Sequence, residues 1–409
     1  MNQQNSFLKR TVLQFANAFI MYTLIATIPL KAQQVADTAM KPGGHLWGLA
    51  YGDYAFKAES DPLNRGGLNQ YTGIKKNESL FQFRRVYLGF DYEINKQFST
   101  NFILANEENG ISSAAQTPVA SGDLLGNTKN SMFIKIACAT WKNIFPKANL
   151  SFGMVHTPSS VLEVEPIWDY RCIERTISEL RRTPVYDFGA ILSGKIYDSA
   201  NAEVGYNVMV GNGSAAKPEN DQFKWFYGDV YAKLFNKKLV IDLYGDYTRI
   251  NWTPTWHHQR YMMKAMVAYT TPKFTIAAEA FYNTLTHDNI GIKANNVGDT
   301  INTQATGISI FAHGKVYKDV LGFFARYDTY DPSGNSNNGL YSKDTPLSSN
   351  YNVNTKEQFI TAGFDYTPNS KIHIMPNVWY TKYQNTSPEA IDNGKDVVYR
   401  LSLYYVYGK

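Results

Sequence analysis

Glu163, Glu165, Asp169, Arg171, Glu174, Arg175, Glu179 and Arg182 crowd into one short stretch of the chain. Guanidinium groups among carboxylates attract, repel and desolvate charge; without a nucleophile–base pair they do not make and break bonds. At 100° per residue, Ile173, Ile177 and Leu180 share one face of a helix over Tyr170 to Arg182, with Arg171, Arg175 and Arg182 opposite. The expectation is an amphipathic turn whose apolar stripe packs on a wall and whose arginines face water. Glu174, three residues after Arg171, and Glu179, four after Arg175, would each partner an arginine, for roughly 0.2–0.5 kcal/mol a pair.

Other reactive side chains are sparse. His45, His156, His257, His258, His287, His313 and His373 fall in no nucleophile or metal motif. His257 and His258 are read as a loop pair beside Trp256, and adjacent side chains on a strand would point apart, so a shared metal is not expected. Cys138 is placed on the apolar face of its strand with Ile134 and Ile136, and Cys172 in a loop. The reading is of no enzyme, no metal and no cofactor.

What must position the charged stretch is a repeat. Leu80 to Ile94 alternates apolar Val86, Leu88, Phe90 and Tyr92 with Arg85, Gly89, Asp91 and Glu93, a period of two. Such segments recur near 44–57, 79–94, 97–108, 130–142, 148–157, 185–197, 201–212, 224–235, 238–250, 258–270, 273–286, 304–316, 319–330, 356–367, 370–384 and 396–407. Sixteen is an even number, so both ends fall on one side. Tight turns such as Pro272-Lys273 and Tyr317-Lys318 alternate with long polar loops, as in Asn109 to Lys129. Long strands of alternating polarity with short and long connections by turns are the signature of an all-β, transmembrane antiparallel β-barrel of sixteen strands. The 29 Tyr and 23 Phe, with a negative mean hydropathy, agree, because a barrel strand turns half its residues away from lipid.

Three domains are expected. Residues 1–32 have a basic start at Lys9 and Arg10, an apolar run from Thr11 to Leu30 and a small residue at Ala32, which reads as a cleaved export signal. A short N-terminal segment, 33–43, precedes the barrel at 44–409. Removing Lys9, Arg10 and Lys31 leaves 37 basic against 35 acidic residues, a balance that excludes the concentrated positive charge of nucleic-acid binding. The last strand places Val397, Tyr399, Leu401, Leu403, Tyr405 and Tyr407 on one face, resembling the signal by which assembly machinery recognises outer-membrane barrels.

The stretch G-M-V-H-T-P-S-S-V-L-E from Gly153 to Glu163, with Y-R-C-I-E-R-T-I-S-E-L from Tyr170 to Leu180 and Y-D-F-G-A-I-L-S-G from Tyr186 to Gly194, resembles the phosphate-selective porin O and P family, particularly its Bacteroidetes-type members. Weaker echoes are A-R-Y-D-T-Y-D-P at Ala325 to Pro332 and A-G-F-D-Y-T-P at Ala362 to Pro368. The resemblance implies a sixteen-stranded outer-membrane porin, commonly a homotrimer, whose third long loop folds into the lumen as a constriction.

By parity, the lumen wall carries the bases Arg85, Lys135, Lys195, Lys233, Arg260, Lys264, Lys315, Arg326 and Arg400. Its acids are Asp53, Asp91, Glu93, Glu107, Asp187, Glu203, Asp229, Asp242, Asp246, Glu279, Asp328, Glu357 and Asp365. An oxyanion filter needs a ladder of cations to replace the ion's water; here the signs are interspersed. Phe81, Phe83, Tyr87, Trp225, Tyr227, Tyr231, Tyr244, Phe281 and Trp379 also take inward parity. Taken together, the residues point to passive diffusion of small hydrophilic solutes or ions through a lipid-embedded barrel with weak charge selectivity, constricted by Glu163, Glu165, Asp169, Arg171, Glu174, Arg175 and Arg182. An anion channel using the three arginines, and a blocked barrel serving surface attachment, are the competing readings.

Overall fold

Side chains that alternate in polarity along a strand need two different solvents, and unpaired strand edges need partners; closing the sheet on itself meets both demands. The computed structural model describes residues 43–408 apart from 64, 66–73, 108–131, 182, 220, 253–256, 293–297, 333–354 and 386–393. The expected export signal, all but the last residue of the segment 33–43, and Arg182 therefore lie outside the described residues.

The strands are β1 (Gly43–Glu59), β2 (Ser79–Glu93), β3 (Phe98–Glu107), β4 (Phe133–Phe145), β5 (Ala148–His156), β6 (Tyr186–Asp198), β7 (Glu203–Gly211) and β8 (Trp225–Leu234). They continue as β9 (Leu239–Trp252), β10 (His257–Thr270), β11 (Phe274–Ile292), β12 (Gly298–Tyr317), β13 (Leu321–Asp331), β14 (Thr355–Asn369), β15 (Ile372–Asn385) and β16 (Lys395–Tyr407). Each pairs with its sequence neighbours, and β16 returns antiparallel to β1, with Gly48 opposite Tyr407, so the barrel is closed. Leu243, Val267, Ile276, Ile308 and Leu401 are exposed on the outer face while Asp242, Lys264, Glu279, Arg326 and Arg400 are buried inside. That inversion of the soluble-protein pattern suits a barrel whose outer solvent is hydrocarbon.

Three sequence expectations are corrected by the strand ladder. On β2, Tyr51 pairs with Arg85 but the next residue, Gly52, pairs with Phe83, so Arg84 is a bulge residue. The extra residue shifts parity: Phe81 (84 % exposed) and Phe83 (51 %) face outward instead of lining the lumen, and Arg84 and Arg85 are both buried inside. A second register shift, on β4, leaves Ile134 outside and buries both Lys135 and Ile136; Cys138 then packs with Ile136 on the inner side, opposite to its expected face. Finally, β11 and β12 extend to Ile292 and from Gly298, and β10 begins at His257, so the expected 287–303 loop is largely hairpin and the His257-His258 pair is strand. Long and short connections therefore do not alternate throughout.

The core of the barrel is the third long loop. Between β5 and β6 it carries two five-residue helices, α1 (Val164–Trp168) and α2 (Ile177–Arg181). Val164, Trp168 and Ile173 pack with Met266, Phe311, Phe324 and Met375 of the wall, and Ile177 with Tyr227, Met262 and Tyr330. Full burial of each such side chain contributes about 1.5–3 kcal/mol, which is why the loop lies inside the barrel rather than above it.

Candidate functional site in the lumen

The continuous helix expected over Tyr170 to Arg182 is not formed. Asp169 adopts left-handed backbone (φ 59°) and ends α1, its N–H donating to the Glu165 carbonyl at 2.9 Å; residues 171–176 turn before α2 begins. Ile173 and Ile177 are nevertheless buried, as the stripe required. Two short helices joined by a turn expose many carbonyls that lack intrahelical donors, and the wall supplies the donors. Arg84 Nη1 donates to the Cys172 and Ile173 carbonyls, both at 2.8 Å, and Arg400 Nη2 to Ile173 O at 3.2 Å. Arg326 Nη1 donates to Arg175 O, and His313 Nε2 to Ile167 O at 2.9 Å.

Arg85, Lys135, Arg260, Lys264, Arg326 and Arg400 are buried inside, as parity placed them, and clamp or pair rather than line open water, whereas Lys195, Lys233 and Lys315 pair with carboxylates while remaining partly exposed. Arg260 grips Asp246 at 3.0 and 3.2 Å beneath the Trp225 ring, Lys264 binds Asp242 at 2.8 Å with both side chains fully buried, and Arg326 also pairs with Asp328. Asp91 accepts from Trp47 Nε1 at 2.9 Å and from Asn101. Glu279 is buried against Ser178 of the loop. Lys233 holds Glu163 at 3.0 Å, and Arg181 forms a two-pronged pair with Glu357 while lying 4.5 Å over the Tyr330 ring. Arg84 and Arg181 were both missed from sequence. Adjacent arginines on one strand are the legible signal for the first, since only a bulge lets both face inward.

The other side of the loop meets β2 to β6 in a seam of mixed charge. Arg171 was expected beside Glu174; instead it pairs with Glu165 (Nε–Oε2 2.8 Å) and with Glu179, and donates to Tyr87 Oη at 2.9 Å. Glu174 turns inward and is buried, its carboxylate accepting the Arg175 backbone N–H at 2.7 Å. On the wall, Lys135 donates to Tyr87 Oη at 2.7 Å and pairs with Glu107, while Arg85 Nη2 approaches Glu179 at 3.9 Å. Four cations, Arg85, Lys135, Arg171 and Arg175, therefore face four carboxylates, Glu107, Glu165, Glu179 and Glu174, the last lying 3.9 Å from Arg175 Nε. Burial pushes Glu165 and Glu179 above the usual carboxylate range, helped by Glu179 at the first and by Glu107 at both, against the pull of Arg85 and Lys135. Glu165 and Arg175 keep a quarter and a fifth of their side-chain surface exposed, so the seam presents both signs to water.

Beneath the loop, three cavities of about 210, 400 and 480 Å³ surround Asp169, the last two reaching the turns at Pro272-Lys273, Lys318-Asp319 and Ser370-Lys371. Asp169 is exposed where α1 ends, and it shares the 210 Å³ cavity with Glu165, Arg171 and Tyr87 of the charged seam.

No family model matches the chain, and no curated protein matches it. Solved structures do. The outer-membrane channel DcaP of Acinetobacter baumannii superposes with a TM-score of 0.56 at 13 % identity, over 90 % of this chain and 97 % of that one. OmpF of Salmonella typhi, in complex with daunomycin, gives 0.54 at 10 % identity over 89 % and 97 %. An anion-selective porin from Comamonas acidovorans gives 0.52 at 10 % identity over 90 % and 100 %. At such identities the likeness establishes the sixteen-strand barrel shared with outer-membrane porins.

Proposed function

We propose that this chain is a porin of the bacterial outer membrane through which small hydrophilic solutes diffuse passively, with weak charge selectivity set where the third loop faces β2 to β6. The observation that carries the reading is the loop itself: clamped along one side by wall arginines, it leaves a narrow seam on the other where Glu165 and Arg175 remain exposed among charges of both signs. A transverse field of this kind orders dipolar solutes without holding any ion tightly. Structural likeness to outer-membrane porins supports the same reading. The residues of β16, with Tyr399, Leu401, Leu403 and Tyr407 exposed on the outer face, suit lipid contact and recognition by the assembly machinery.

A second reading, anion preference, is favoured by the anion-selective porin among the structural neighbours. The resemblance of residues 150–194 to the phosphate-selective porin O and P family belongs to that reading; the locally paired wall cations speak against a phosphate ladder. Self-association as a trimer is part of the proposal, supported by a neighbouring barrel solved in trimer form. Planar-bilayer recording in a salt gradient tests the function: sizeable current with a reversal potential near zero supports diffusion, a strongly anion-selective potential supports the second reading, and no current leaves a blocked barrel.

A further inference from the structure

The cavities under the loop share a framework that the diffusion reading does not use. The Tyr170 ring stacks near Phe324 and His313 (centroids 4.6 and 5.4 Å), and its hydroxyl donates to Asp365 at 3.2 Å. Asp365 also takes His373 Nδ1 at 3.0 Å, and the His373 ring lies 5.3 Å from that of Tyr404. One buried carboxylate thus fixes a tyrosine on the loop and an imidazole on the wall at two sides of the 400 Å³ cavity. Tyr404 forms part of its lining and Asp169, in left-handed backbone, sits where all three cavities meet.

That combination selects a ligand by its chemistry. An oxyanion entering the 400 Å³ cavity would face the carboxylates of Asp169 and Asp365, with Lys371 at the rim and His373 already held by Asp365, and an apolar molecule would strip water from both carboxylates without replacing it. A ring with C–H faces and hydroxyl edges satisfies both demands: its face lies on the tyrosines and its hydroxyls donate to Asp169, with Ser370 and Lys371 at the rim. We propose that the short-turn mouth of the lumen is a binding subsite for a neutral polyhydroxylated ring of the monosaccharide class, held between Tyr170 and Tyr404 with Asp169 as hydroxyl acceptor. The subsite deepens the diffusion reading and rests on it only for the route by which the sugar arrives.

Trp168, whose ring lies 5.7 Å from that of Tyr170, is a built-in reporter. The full-length barrel in detergent, its fold checked by heat-modifiable gel migration, is titrated with glucose, galactose and xylose while tryptophan emission is followed; acyclic mannitol and inorganic phosphate are run in parallel. The expected result is saturable binding of at least one ring sugar, with mannitol and phosphate far weaker, and a loss of affinity of about tenfold in Asp169→Asn and in Tyr404→Leu. Asparagine tolerates left-handed backbone, so the first variant keeps the loop's turn. Saturation by phosphate in place of sugar, no saturation by any ring sugar, or unchanged affinity in both variants would overturn the proposal. A barrel that conducts but binds none of the sugars loses the subsite alone, whereas one that binds without conducting loses the diffusion reading alone.

Discussion

Replacing Trp168 with alanine tests whether the third loop is held by packing or merely by its ends. Trp168 is fully buried among Val164, Ile173, Met266, Phe311, Phe324 and Met375; its ring centre lies 5.1 Å from Phe311, and its Nε1 donates to Glu174 O at 2.8 Å. Truncating a buried tryptophan costs roughly 3–5 kcal/mol. None of the strand-to-strand hydrogen bonds involves this side chain, so the cost falls on docking of the loop rather than on the barrel. At 1.4 kcal/mol per tenfold, the docked fraction is weakened roughly a hundred- to several-thousandfold. Hydrogen exchange read by mass spectrometry is the assay: peptides covering Val164 to Arg181 should lose protection by that factor while β11 to β13 keep theirs. Channel recordings of the same variant should become noisier. Equal loss of protection in the loop and in the strands would mean that Trp168 props the wall, and unchanged protection would mean that the backbone clamps alone hold the loop; either result refutes the reasoning.

Arg171→Ala with Arg175→Ala changes the seam from four cations against four carboxylates to two against four, so the reversal potential in a salt gradient should move toward cation preference; no movement would place the seam outside the conducting path. Glu165 and Glu179 are raised above the carboxylate range by burial and by neighbouring carboxylates, Glu107 among them. Between the ordinary glutamate value of about 4.3 and the raised one, the folded loop holds a proton that the unfolded chain releases. Docking stability is therefore greatest below this window and declines as pH rises through it, while selectivity drifts toward cations; a reversal potential flat from acid to mildly alkaline pH would contradict this. Arg181→Met leaves Glu357 buried without its partner and should cost about 3–5 kcal/mol of loop docking, read by the same exchange experiment; the double variant with Glu357→Gln should recover part of the loss.

The strands were legible because a barrel translates burial into period two. Each β-residue meets one solvent on one face, so Val86, Leu88, Phe90 and Tyr92 announce their strand without knowledge of any partner, and the closing strand β16 is read the same way. The parity of Arg260, Lys264, Asp242 and Glu279 followed from the same rule. Where a bulge adds one residue the rule inverts; the Arg84-Arg85 pair marks the one that turns Phe81 outward, but nothing beside Cys138 marks the other, because register belongs to pairs of strands and the ladder records it.

The charged stretch divides in the same way. Its composition told that a loop with an apolar stripe and mixed charge would pack against something, and Ile173 and Ile177 do. Its ion pairs were misassigned because helical spacing was assumed, whereas the turn at Asp169 and the bend through 171–176 let distant residues meet: Arg171 finds Glu165 and Glu179, and wall arginines as far along the chain as Arg400 satisfy the loop's carbonyls. Local periodicity is short-range chemistry, so the sequence by itself determined the barrel, its strand count and a charged loop with an apolar stripe. Which charges face the seam, which are consumed as clamps, and that Asp169 meets Tyr404 at one cavity depend on contacts between residues far apart in the chain, and those the tertiary structure alone decided.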